Sequence, residues 1–92
     1  MAITGFRHKG LEELFVRGKT GKIGKPFHKN ARLILDHLNG ITDLADCVGV
    51  RDFHELKGDR KGAYSMHVNA NDCITFRWAN REVRDVDFED YH

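Results

Sequence analysis

Proline is nearly absent from this chain. Pro26 is the only one among 92 residues, and no stretch has the composition of a linker. No internal repeat or low-complexity segment is present either, so the length fits one domain spanning residues 1–92. Cysteine is scarce. Cys47 and Cys73 are too few for a disulfide scaffold, and no Cys-x-x-Cys or His-x-x-x-His spacing points to zinc. They read as two reduced thiols in a cytoplasmic protein, and no cofactor or metal is implied. No apolar run approaches the roughly 20 residues that a membrane helix needs. Met1 to Gly5 lacks the apolar stretch of a signal peptide.

What is present is charge, unevenly spread. The net charge is only +1, with 32% charged residues. Residues 85–92 carry four acids (Asp85, Asp87, Glu89 and Asp90) and no lysine or arginine. Residues 1–84 therefore hold all 15 basic residues against 10 acidic ones. An acidic end beside a basic body fits either a catalytic site set in an anion-binding surface or a solvated tail.

The first half has helical periodicity. Leu11, Leu14 and Phe15 recur at i, i+3, i+4 spacing, and Gly18 can end that helix. Gly21 to Lys25 is a basic, glycine-rich loop. Pro26 suits the first turn of a second helix with Phe27, Ala31, Leu33, Ile34 and Leu38 on its apolar side, stopped at Gly40. Leu44 and Val48 predict a further short helical turn. The second half alternates as strands do. Tyr64, Met66 and Val68 form one run; Ile74, Phe76 and Trp78 form a second; Val83 to Phe88 form a third. Asn69 to Asp72 and Asn80-Arg81 are turn chemistry. The expected fold is α+β: two N-terminal helices packed on one face of a small antiparallel sheet. Ile74, Phe76 and Trp78 should face the helices, leaving Cys73, Thr75 and Arg77 on the open face.

Two clusters carry chemistry. One is the final Phe88-Glu89-Asp90-Tyr91-His92; the other is His54-Glu55-Leu56-Lys57-Gly58-Asp59-Arg60. Cleavage of RNA by its own 2′-hydroxyl needs a base, an acid for the 5′-oxygen and positive charge for the pentavalent phosphorane. Histidine titrates near neutral pH, so His54 and His92 suit proton exchange. Asp90 can take or orient a proton, Lys57 can offer charge, and Tyr91 can stack on a base or bind phosphate. The same residues also fit a polar turn and a polar tail. His8, His28, His37 and His67 read as surface or packing residues.

The run from His54 to Gly62, then Tyr64 to Val68, Ile74 to Trp78 and the terminal Asp90-Tyr91-His92 resemble the HigB toxins of the RelE/ParE superfamily. Phe6-Arg7-His8-Lys9-Gly10-Leu11 with Leu14-Phe15 also resembles them. The resemblance spans the chain and is loosest over residues 20–48. It implies a compact RelE-like, microbial-RNase-like fold and ribosome-dependent, metal-free cleavage of mRNA in the decoding site of the 70S ribosome. It makes His54, Lys57, Asp90, Tyr91 and His92 the catalytic candidates, and Arg60, Lys61 and Arg77 candidates for holding mRNA or ribosomal RNA. It also implies a HigA-like helix-turn-helix antitoxin, through which alone the chain would meet operator DNA. One position departs from the family pattern. Where the family has Trp-Arg-Ile-Thr-Phe, this chain has Asp72-Cys73-Ile74-Thr75-Phe76, so a phosphate-facing arginine is replaced by Cys73. That leaves open an attenuated toxin or binding-only module, and the superfamily also includes ParE-like gyrase-binding toxins.

Overall fold

The computed structural model describes residues 2–90. The helix α1 spans Lys9–Arg17 and buries Leu11 and Leu14. Its N-cap is His8, whose Nδ1 accepts from the backbone N–H groups of Gly10 (3.0 Å) and Leu11 (3.3 Å). An accepting Nδ1 carries no proton, so a neutral His8 ring has its hydrogen on Nε2. Gly18 ends α1 in the left-handed region at φ 79°, and its N–H reaches the Leu14 carbonyl.

The helix α2 spans Lys25–Gly40 with Pro26 in its first turn. It buries Ala31, Ile34, Leu35 and Leu38. Leu33, expected on the apolar side, is instead 52% exposed, because it lies off that stripe. A 3-10 turn at Leu44–Cys47 follows, closed by a reciprocal Asp43/Asp46 capping box. The expected Leu44/Val48 stripe is not what this turn buries. Val48 is 72% exposed and Cys47 is fully buried, since three residues per turn shift the inward position.

Among the described residues, four antiparallel strands complete the domain in the order β1 (His54–Glu55), β2 (Ala63–His67), β3 (Cys73–Ala79) and β4 (Glu82–Glu89). The short β1 adds a strand to the expected three-stranded meander. Asn80 and Arg81 join β3 to β4 with φ of 53° and 62°, the type I′ hairpin geometry. The N-terminal segment runs along β4, with parallel bridges from Ile3 to Val83 and from Phe6 to Val86.

A bulge fixes the two faces of β4. Thr75 pairs with Asp87 and Arg77 with Arg84, so β4 carries one extra residue there. Asp85 absorbs it at φ 53°. Val83 and Val86, three apart, can therefore both point into the core. One continuous core joins Leu11, Leu14, Ile34, Leu35 and Leu38 of the helices to Met66, Ile74, Phe76, Val83 and Val86 of the sheet. The helices thus cover one face, as the sequence pattern requires, and the other carries the candidate chemistry.

Candidate active site

Register places that face in rows, because directly paired residues of adjacent strands point the same way. His54 pairs with Ser65, Ser65 with Thr75, and Thr75 with Asp87. The neighbouring row is His67, Cys73 and Glu89. Ala63 and Arg77 lie in the next row. Alternation therefore puts Cys73, Thr75 and Arg77 away from the helices, as expected. The expectation that all three stand open is corrected: Cys73 is 0% exposed and Thr75 2%, and only Arg77 is exposed. Cys73 starts the inner strand β3, paired with His67 on one side and Glu89 on the other.

An ion pair crosses this face. Arg60, in the 3-10 turn Gly58–Arg60 after β1, donates from both terminal nitrogens to the two carboxylate oxygens of Glu89 near the end of β4, each at 2.7 Å. Thr75 Oγ1 donates to the same carboxylate. The Arg60 hydrogen bonds, chiefly, hold the Glu89 carboxyl below the usual carboxylate range, with Thr75, Arg60 and Arg7 charge adding against the cost of burial. Arg60, expected to hold RNA, thus has Glu89 as an internal partner. Arg7 and Arg77 join Arg60, Thr75 and Glu89 around a small cavity of about 60 Å³. Gly62 turns the chain beside Arg77 at φ 94°, the left-handed region that favours glycine.

His54 is exposed at the opposite edge, on β1. Its Nδ1 lies 2.8 Å from the Asp52 carbonyl oxygen. A carbonyl can only accept, so Nδ1 bears the hydrogen and a neutral ring presents Nε2 as a bare acceptor. The turn that aims this carbonyl is strained. Arg51 and Asp52 both have positive φ, 47° and 56°. Arg51 braces it through Asn30 Oδ1 at 3.2 Å and the His67 carbonyl at 3.3 Å. His67 lies against His54 edge to face, with ring centroids 6.2 Å apart, and its Nε2 is 3.5 Å from Asp52 Oδ2.

The expected site residues are thus distributed over one face and its rims. Lys57 is exposed and opens the 3-10 turn that carries Arg60; Lys61, also exposed, closes it. Asp90 directly follows β4, three strand spacings or about 14 Å from the β1 edge. Tyr91 and His92 lie outside the described residues. Sequence reasoning missed Arg7, Asp52 and His67 as neighbours of the site. Arg7 had no local signal, because it is brought to β4 by pairing with residues far along the chain, through the bridge between Phe6 and Val86 and its own N–H donating to the Val86 carbonyl.

Solved structures share this arrangement. A chain of the YoeB–YefM complex from Staphylococcus aureus superposes with a TM-score of 0.62 at 17% identity, covering 98% of this chain and 94% of that one. YafQ from E. coli strain BL21(DE3) gives 0.61 at 16% identity, covering 96% and 90%. Two helices on a four-stranded antiparallel sheet, in this order, are the RelE-like toxin fold. Residues 4–92 match the family described as the RelE-like toxin of type II toxin–antitoxin system HigB. A curated relative from Proteus vulgaris, Endoribonuclease HigB, is 41% identical over 95 residues, covering 98% of this chain and 99% of its own length. The chain belongs to the HigB-like toxin family.

Proposed function

We propose that this toxin is a ribosome-dependent endoribonuclease that cuts mRNA in the decoding site by metal-free acid–base chemistry. The observation that carries the proposal is His54: exposed beside the open face, with Nδ1 held by a carbonyl and Nε2 free to accept a proton. The activity named for the Proteus vulgaris relative, similar over almost its whole length, supports it.

In the proposed reaction Nε2 of His54 takes the 2′-hydroxyl proton. The 2′-oxygen bonds to phosphorus, the bond from phosphorus to the 5′-oxygen breaks, and an acid among Asp90, Tyr91 and His92 protonates the leaving oxygen. Lys57 and Arg77 stabilise the charge that builds on the phosphorane. The products are a 2′,3′-cyclic phosphate and a 5′-hydroxyl. Cys73 is buried and offers the phosphate neither charge nor a hydrogen bond, so the positive charge must come from Lys57 and Arg77. A chain of 92 residues with a net charge of +1 has little means of holding RNA in line for attack. The ribosome supplies that positioning, which is worth several kcal/mol and on the order of 7–11 in ideal cases. The toxin acts in the cytoplasm and is held in check by a HigA-like antitoxin that also binds operator DNA.

Product chemistry tests the mechanism. A message with a single 2′-deoxy nucleotide before the preferred cut site should resist cleavage there, and the normal message should leave a cyclic phosphate. Efficient cutting beside the deoxy nucleotide refutes attack by the 2′-oxygen.

A further inference from the structure

A run of positive charge spans the end of α1, the loop after it and the first turns of α2. Residues 17–32 hold six lysines and arginines (Arg17, Lys19, Lys22, Lys25, Lys29 and Arg32) and no aspartate or glutamate. Folding concentrates them. The residues that α2 buries leave Lys25, Lys29 and Arg32 outward at i, i+4 and i+7, a row about 10 Å long on one helical face. Arg17 and Lys19 approach this row from the end of α1, across a groove of about 520 Å³ that also meets Lys25 and His28. A second groove of about 420 Å³ continues from Lys25 and His28 to Lys29 and Arg32.

Little opposes this charge. Glu13 borders the first groove, but Lys22 Nζ bonds it at 2.7 Å and Thr20 Oγ1 also donates to it. Asp36 borders the far end of the second. Among the described residues Arg17, Lys19, Lys25, Lys29 and Arg32 form no ion pair. On the sheet face, by contrast, Arg60 is matched by Glu89.

From this arrangement we infer that the groove between α1 and α2 binds the phosphate backbone of a structured RNA segment, separate from the strand being cut. The inference rests on the reading of the protein as a toxin that acts on the ribosome. Two observations favour a phosphate backbone over a protein. The row of cations suits successive phosphates, which need charge and no sequence readout. A protein interface needs a cluster of buried apolar anchors, and of the residues lining the two grooves only Leu33, at the far end of the second beside Asp36, exposes a large hydrophobic side chain, while Phe27 packs inward on Phe88. The helices cover the face of the sheet opposite His54 and Arg77, so a short strand in the cleavage site does not also fill this groove. The ribosome would be held by the helical face while the sheet face addresses the message.

The test is a full-length variant combining Lys25→Gln, Lys29→Gln and Arg32→Gln, compared with the unaltered protein. Binding to 70S ribosomes carrying mRNA is measured by co-sedimentation over a series of KCl concentrations, beside binding to the cognate antitoxin and thermal melting. Loss of three phosphate contacts should flatten the plot of log affinity against log salt by about 2–3 and weaken ribosome binding by roughly tenfold or more near 0.1 M salt. Melting should hold, because the three positions are exposed. Unchanged ribosome affinity and slope overturn the inference. So does loss of antitoxin binding with ribosome binding retained, which would assign the groove to a protein. If the unaltered protein binds ribosomes through these residues yet cuts no message, the groove stands and the nuclease proposal fails.

Discussion

Glu89→Gln should destabilise the fold at neutral pH and have much less effect in acid. The carboxylate accepts two charge-assisted hydrogen bonds from Arg60 at 2.7 Å and a third from Thr75. Glutamine keeps one oxygen acceptor and loses the charge, leaving the guanidinium without its counter-ion. Hydrogen bonds to charged groups contribute about 1.5–3 kcal/mol, whereas exposed ion pairs contribute about 0.2–1 kcal/mol. The Glu89 and Arg60 side chains are 20% and 39% exposed, between those limits. A loss of about 1–2 kcal/mol follows, or a fall in Tm of roughly 5–15 °C for a domain of this size. The sign of the pH dependence is set by the lowered carboxyl pKa. The clamp contributes fully above the ordinary glutamate value of 4.5 and is lost as pH falls below it through the folded-state value. The difference in Tm between the two proteins should be constant from about pH 6 to 8 and shrink below 4.5. Equal Tm at pH 7, or a gap that persists undiminished at about pH 2, would refute this reasoning.

His54→Ala should lower single-turnover cleavage about 10²–10⁴-fold and shift stability by less than about 0.5 kcal/mol, because the side chain is exposed; a fully active variant removes His54 from the mechanism. Gly10→Ala should destabilise the domain by about 1–2 kcal/mol despite the better helix propensity of alanine, measured by urea unfolding. Its Cβ would stand 2.7 Å from His8 Cε1 and 2.9 Å from Lys22 Cβ, so the N-cap imidazole must move; a higher midpoint would contradict this. Cys47 and Cys73 should both resist a water-soluble thiol reagent until the chain unfolds, since each is 0% exposed and burial pushes the Cys47 thiol up to about 11; rapid labelling of either native thiol would contradict the packing.

Local patterns announced much of this architecture. Leu11 and Leu14 with Gly18, and the β3–β4 hairpin at Asn80-Arg81, are determined by neighbours in sequence, and the periodicity displays them. The strand β1 is only two residues long and is defined by its pairing with Ser65 and Tyr64, so no alternation reveals it. The bulge at Asp85 left a trace in the odd spacing of Val83 and Val86, which a regular strand cannot bury on one face. The site was legible as residue types and illegible as geometry. His54 stood out, but the carbonyl that fixes its tautomer belongs to a strained turn braced by Asn30 and His67. Arg60 looked like a free cation because its partner Glu89 lies 29 residues away. Cys73 looked open because alternation gives the direction of a side chain and not what lies over it.

This toxin is proposed to cut message on the ribosome. Primer extension on one mRNA, incubated with the purified toxin either alone or bound to initiated 70S ribosomes, tests it directly. Strong cuts are expected at codons in the decoding site of the ribosome-bound message, with little cutting of the free RNA. Equal cutting of both, or intact message on the ribosome, would contradict it.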